Sequence, residues 1–412
     1  MSNALLDPKI YANVGLKLLK NNLVMARLVN GEYKNEFKKI GNTIYTRRPP
    51  EFVVRDGAVA SVQDVVEGEV AIAMDKQKGV DVQFTSVEET LSVDSLLRSS
   101  TMASAMATLG NQIDQDIHAE TRKFFNWVGT PGQLVNSFAD LSKGPQRLDE
   151  TGVETDGRVG VMPPADAWAM LGSLSGLYTE KVAADALTRA KLPMLGNVDW
   201  YSTQNIASVT TGSRTGGLVN GASQNVTYAS IKDGDWTQSL IVDTLGASKT
   251  VAAGEMFTLD GVYAVNARTK ETLDFLQNFT VIADATASGG GAATLIISPP
   301  MVTTGAFKNV SAAPADNAAI NWFGDATAGN TDATTYRPSC VFRKQAIALV
   351  SCKLIKPYSG QADYAVDKET GLAIRYWRTS DGTNDTHLHR FDVLYGVKAV
   401  DPRLGVRLSG SA

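Results

Sequence analysis

Four groups of residues have types and spacings that could do chemistry. His387 and His389 flank Leu388, so an extended chain puts both imidazoles on one face, as a zinc site would need. Zinc takes one or two ligands more. The third histidine, His118, lies far away in a helical stretch, and no Cys-x-x-Cys pair exists. Asp381-Gly382-Thr383-Asn384-Asp385 has the oxygens of a calcium loop but not its length or its terminal Glu, and reads as a turn between strands. The glycine-rich stretches Gly212–Gly217 and Gly289–Gly291 lack the Lys-Ser/Thr ending that cradles phosphate. Carboxylate pairs such as Glu88-Glu89 and Asp114 with Asp116 have nothing nearby in sequence to perturb them. The expectation is a chain with no catalytic residue, no cofactor and no metal, hence no enzyme.

Composition bounds the class. The 412 residues are 43% hydrophobic and 20% charged, ordinary for a globular protein of two or three domains. With 39 basic and 43 acidic side chains the net charge is -4, which argues against a general nucleic-acid binder but not against a wall that encloses nucleic acid. Two cysteines, Cys340 and Cys352, are too few for a disulfide framework and flank Val341–Ser351, which reads as one strand between reduced thiols. The start reads as no signal peptide, and no apolar run approaches the ~20 residues that cross a bilayer.

The elements that must position any site follow from periodicity. Asp7-Pro8 starts a helix expected to reach about Val29, with Ile10, Val14, Leu18, Val24 and Leu28 on its packing face. Lys34, Lys38 and Lys39, interleaved with Tyr33 and Phe37, form a basic arm. From Thr43 to Thr90 the pattern is extended: Ile44, Thr46 and Arg48 alternate, as do Val70, Ile72 and Met74, then Val80, Val82 and Phe84 beyond a turn at Lys76–Gly79. The charged, glycine-containing stretch Glu51–Gly68 lies within this hairpin-like excursion, which needs outside support because isolated ribbons are poor folding units.

The longest patterned stretch is Leu91–Val128. Met102, Met106, Leu109, Ile113, Ile117, Phe124 and Val128 recur at helical steps, predicting one helix of roughly 55 Å at about 1.5 Å per residue. Leu134–Leu141, Ala165–Leu171 and Leu177–Arg189 read as further helices, and Val159–Met162 as a buried strand. The Gly-, Ser- and Thr-rich stretch Ala207–Thr335 holds short strands at Ser239–Val242, Met256–Leu259, Tyr263–Asn266, Phe279–Ala283 and Thr294–Ile297, separated by turns that include Asp260-Gly261. It reads as a β-barrel or sandwich inserted into the main body. The body resumes at Ser339, and Leu394–Val400 reads as the final strand before a short tail.

This order of elements resembles the major capsid protein of tailed bacteriophages, the Johnson fold, and within it the coat proteins of short-tailed Salmonella-type phages that carry an inserted β-barrel. Leu394-Tyr395-Gly396-Val397 with Pro402, Gly405 and Val406 is similar to that family's C-terminal Tyr-Gly-Val strand and tail. Leu192-Pro193-Met194-Leu195, ahead of Thr203, is similar to its Lys-Leu-Pro-Val-Leu segment before the insert. Asn42-Thr43-Ile44 ahead of Arg48-Pro49 is similar to its entry into the extended loop. Inside the insert the likeness is one of placement and strand-rich character.

The resemblance implies an α+β fold divided into an N-terminal arm (1–42), an extended β loop (43–90), a peripheral domain with a spine helix (91–150), a body domain (151–221), an inserted β-barrel (222–331) and the rest of the body with the C-terminal strand (332–412). It implies a virion protein, made in the bacterial host cytoplasm, that self-assembles as hexamers and pentamers into an icosahedral shell around double-stranded DNA. The implied partners are copies of itself, a scaffolding protein during assembly, portal and decoration proteins, and packaged DNA touched weakly and without sequence preference, through Arg122 and Lys123 or the Lys34–Lys39 arm; no membrane is implied. In such a shell Arg47, Arg48, Glu51, Arg55, Asp56, Asp64, Glu67 and Glu69 are the candidate intersubunit contacts. Met102, Met106, Leu109, Ile113, Ile117 and Phe124 are the core face of the spine helix. Two readings of other classes stay open: a carbohydrate- or peptide-binding β-domain using Trp236, Phe257 and Tyr263, and an enzyme with a site between body and insert.

Overall fold

The computed structural model describes residues 8–31, 43–55, 57–60, 62–87, 100–174, 194–323 and 335–411. Two compact units emerge, each assembled from stretches far apart in sequence.

The first unit comprises Met1–Ile44, Ala71–His118 and Ile347–Lys398. Its sheet is built around Thr386–Ala399, which pairs along one edge with Lys76–Thr85. On the other edge Ala373–Asp381 pairs with it and then with Gln361–Val366, all antiparallel. The pairing with Lys76–Thr85 is in register from Thr85↔Thr386 to Lys76↔Tyr395, and Ile347–Cys352 is a further partner of the central strand. The turn expected at Lys76–Gly79 is therefore strand. A Cβ on Gly79 would come within 2.7 Å of the Phe391 carbonyl, so that glycine serves close strand approach and not a turn. The stretch Gly68–Ala73 pairs with Thr43–Arg48 instead of folding back on Lys76–Thr85, so of the expected hairpin or pair of long strands the structure has the pair, in different sheets.

Two helices cover this sheet. The N-terminal helix ends at Asn22, short of the expected Val29, and a separate turn of helix, Met25–Leu28, follows. The break has a cause in the long helix: the Asp114 carboxylate accepts from the Val24 amide (2.7 Å) and the Ala26 amide (3.3 Å), capping the second turn from outside. The buried face is Tyr11, Ala12, Gly15 and Leu19, not the expected Ile10, Val14 and Leu18, because Tyr11 stacks on Tyr376 at 5.0 Å and Gly15 lets Met102, Met106 and Phe391 close in.

The long helix is Ser100–Ala119, about 30 Å at about 1.5 Å per residue. Met102, Met106, Leu109, Ile113 and Ile117 are all buried along it. Residues 91–99 of the expected helix lie outside the described residues, as does the expected helix Leu177–Arg189.

The second unit comprises Tyr45–Val70, Ala119–Ala346 and Ala399–Ala412. Here the expectation of helix to Val128 is corrected. A 3-10 turn, Glu120–Lys123, ends the helix, and Asn126–Val128 is a strand parallel to Gly405–Leu408. The aromatic run Phe124-Phe125-Asn126-Trp127-Val128 favours a pleated, buried surface over another helical turn. Phe124, expected on the helix face, is fully buried but stands past the turn with extended backbone.

The body sheet orders Asn126–Val128, Gly405–Leu408, Ser339–Arg343, Arg158–Met162 and Asp199–Ser202. The C-terminal tail is thus a near-central strand. Val341–Ser351 is not one strand: a 3-10 turn, Lys344–Ala346, separates Ser339–Arg343 from Ile347–Cys352. The helix expected at Leu134–Leu141 is Phe138–Glu150, started by Ser137, whose Oγ accepts from the Asp140 amide. It packs Leu141 and Leu148 on Val341, Val406 and Leu408.

The barrel runs Ile320–Trp322, Met256–Val265, Thr272–Val281, Ala293–Ser298, Gln238–Asp243 and Leu218–Val219 in spatial order. Its two ends meet: Leu218 bridges Ala319, Val219 donates to Ala318 and Ile320 donates to Gly217, which closes the sheet. Leu240, Val242, Phe257, Phe279, Leu295 and Ile297 fill it. Asp260-Gly261, expected as a turn, lies inside Met256–Val265 as an irregularity in register, with Gly261 at φ +78°.

Candidate functional site

The extended loop of the second unit runs between Arg48 and Gly68, and its two feet differ in chemistry from its tip. Arg47 pairs with Glu67 across the feet at 2.9 Å, both side chains reaching solvent. Arg48 is 4% exposed. Its guanidinium donates to the carbonyls of Gly234 (2.7 Å), Lys232 (3.3 Å) and Val400 (3.5 Å), and burial lowers its pKa. Glu51 accepts from Lys270 (2.6 Å) and from Arg403. Arg403 is also gripped by Asp401 at 2.8 Å. Burial opposes both charges, but their mutual attraction wins, so Arg403 is raised and Asp401 lowered from their ordinary pKa values. Arg48 and Glu51 are therefore engaged within their own chain, a correction to their expected availability for neighbours.

The tip is different. Val54, Val59 and Val62 are 88%, 85% and 91% exposed, and Arg55 and Asp64 are exposed too; Glu69, at the returning foot, is also exposed. Arg55 bonds to the carbonyls of Gly57 and Val59, and the Gln63 amide clasps the Val53 backbone, accepting at 2.9 Å and donating at 2.6 Å. Asp56 lies outside the described residues.

The other sequence candidates are occupied. His387 Nδ1 is 2.7 Å from Ser380 Oγ, and His389, buried, is 2.6 Å from the Tyr376 hydroxyl. Asp381 accepts from the Thr383 amide and Asn384 as in an ordinary turn. Among the described residues no three His, Cys, Asp or Glu converge on a metal-sized site, and no helix is long and apolar enough to cross a membrane. Cys340 is buried, and burial pushes its thiol pKa up to about 12. Of the three aromatics of the sugar- or peptide-binding reading, Trp236 and Phe257 are buried and Tyr263 alone is exposed, so they do not form one aromatic platform. Lys123 pairs with Glu120 at 2.7 Å and Arg122 donates to the Ser208 carbonyl, while the Lys34–Lys39 arm lies outside the described residues.

Two buried ionic groups were invisible in sequence. Arg407, fully buried, donates to the carbonyls of Phe124 (3.0 Å) and Gly254 (2.7 Å) and to Thr280 Oγ1 (3.0 Å), tying the body strand to the barrel. Burial lowers its pKa to about 10. Arg214 and Glu255 form a buried pair, with Arg214 4.2 Å above the Trp322 ring.

Comparison with known proteins identifies the family. The family described as P22 coat protein, gene protein 5, matches residues 16–410. The major capsid protein of Acyrthosiphon pisum secondary endosymbiont phage 1 is 23% identical over 350 residues, 81% of this chain and 79% of its own. Among solved structures, one of Mycobacterium phage Che8 aligns over 93% of this chain and 90% of its own at 14% identity and a TM-score of 0.47. The CUS-3 coat protein I-domain aligns over 28% of this chain and 100% of its own at 29% identity and a TM-score of 0.21. With the family match spanning nearly every residue, the chain belongs to the P22 coat protein family and is a major capsid protein of a tailed phage, built to form the virion shell.

Proposed function

We propose that this chain closes its shell through the extended loop, with Arg55 and Asp64 near its tip and Arg47, Glu67 and Glu69 at its feet meeting neighbouring copies in hexamers and pentamers. The carrying observation is the exposure of Val54, Val59 and Val62 beside charged side chains that their own subunit leaves in solvent. Exposed ion pairs are worth only ~0–1 kcal/mol each, which suits a shell that must correct errors while it assembles, and the number of copies multiplies them. The protein works as a structural element and catalyses nothing. It is made in the host cytoplasm, assembles on a scaffolding protein, meets portal and decoration proteins, and touches packaged DNA only weakly and in a salt-dependent way. The six-part division from arm (1–42) to C-terminal strand (332–412) is the frame of this reading.

Charge reversal tests it. Arg55→Glu combined with Asp64→Lys is expected to leave the subunit folded by circular dichroism while sedimentation shows fewer closed particles. Shells formed at the normal yield would refute the role of the tip.

A further inference from the structure

We propose that the inserted barrel steers the extended loop: the turn Lys232–Trp236 and Lys270 clamp both feet of the loop and so set the direction in which its tip points. The proposal rests on the reading of the loop as an assembly element, and it assigns that element's control to the insert.

Both feet are held, and by different chemistry. On the outgoing foot, Arg48 is buried and reaches the carbonyls of Lys232 and Gly234, while Glu51 is held by Lys270. On the returning foot, the Glu69 amide donates to Asp233 Oδ1 (3.2 Å) and the Gly234 amide donates to the Glu69 carbonyl (2.8 Å). Gly68 beside it admits no side chain, because a Cβ there would lie 2.1 Å from the Lys232 carbonyl. A foot fixed by carbonyls and amides on both strands cannot pivot without breaking several bonds together, those of Arg48 and Glu51 part-buried.

The turn itself is shaped for this contact. Trp236 is 4% exposed and adopts φ +58°, a backbone conformation that bulky residues rarely take and that persists only where the surroundings enforce it. The enforcement is visible: the Arg48 guanidinium lies 5.8 Å and that of Arg403 5.1 Å from its ring. Arg403 in turn holds Glu51, so one aromatic ring, two guanidiniums and one carboxylate lock turn, loop and C-terminal segment together. Beyond the feet the loop is held by bonds of its own, Arg55 to Val59 and Gln63 to Val53. Fixed feet and a self-contained tip make the loop a lever.

Hydrogen exchange on full-length subunits, kept below the concentration at which they assemble, tests the clamp. Trp236→Leu and Lys270→Gln are expected to speed exchange of the Glu69 and Gly234 amides and of the strand Thr43–Arg48 by roughly tenfold or more, with the barrel strand Gln238–Asp243 unchanged. Arg268→Gln, which removes only an exposed pair with Glu154 from the same barrel turn as Lys270, is expected to leave the feet unchanged. Unchanged feet in both clamp variants would overturn the proposal, and so would equal loosening of feet and barrel strand. Sedimentation of the same variants separates the two readings. Loosened feet with normal shells would keep the clamp and refute the loop's part in assembly.

Discussion

Arg407 shows how a single residue joins distant parts of the chain. A cation with no carboxylate among its hydrogen-bond acceptors is kept charged in the interior by two carbonyls and a hydroxyl, and its ring partner is Trp127 at 5.3 Å. Arg407→Met keeps the side-chain bulk and strands those acceptors. Each is worth ~1–3 kcal/mol when left unpaired, so a loss of roughly 3–5 kcal/mol is expected in urea unfolding of the subunit. A loss below about 1 kcal/mol would show that water replaces the guanidinium easily. Sequence alone placed Arg407 in a tail. The alternation Val406-Arg407-Leu408 correctly puts the arginine on the face opposite the core residues, but only the fold places the barrel against that face.

Among the elements, the long helix was legible in its buried face and illegible in its ends. Met102 to Ile117 follow the 3.6-residue period, and every expected position in that span is buried. The pattern then continues by coincidence into Phe124 and Val128, because a strand buried on both sides also presents large apolar residues. Leu109→Pro sits mid-helix at a buried position and removes a main-chain bond, costing ~3 kcal/mol or more. The expected outcome is insoluble subunits and no particles by sedimentation; soluble, assembling protein would mean that the helix is dispensable as a continuous rod. The break before Met25–Leu28 had no local signal, since its cap is Asp114, some ninety positions away.

For the whole molecule, acid should be the common weakness, because depressed carboxylates occur in both units. Asp367 is lowered, burial being outweighed by bonds from Thr370 and Lys20; Asp140 is lowered by Ser411, Ser137 and Lys143 against burial; Asp401 is lowered by Arg403 against burial. A depressed folded pKa means that the unfolded chain binds the proton first. The stability these groups contribute is therefore present above the unfolded value of ~3.9 and lost as pH falls through the folded values. The urea midpoint is expected to hold from pH 7 to about 4 and to fall below that; a midpoint unchanged down to pH about 2.5 would contradict it. Asp401→Asn should flatten part of that fall.

What the sequence determined by itself was local and periodic: the buried face of the long helix, the alternating strands at Thr43–Arg48 and Gly68–Ala73, the strand-rich insert, and the order of elements that identifies a capsid subunit. The tertiary structure decided which strands pair, where the tail goes and which charges are free. Arg48 and Arg55 read alike in sequence, seven positions apart in one charged stretch. One is buried under the barrel and the other stands in solvent, because burial depends on what the rest of the chain brings to that spot, and no spacing along the chain encodes it.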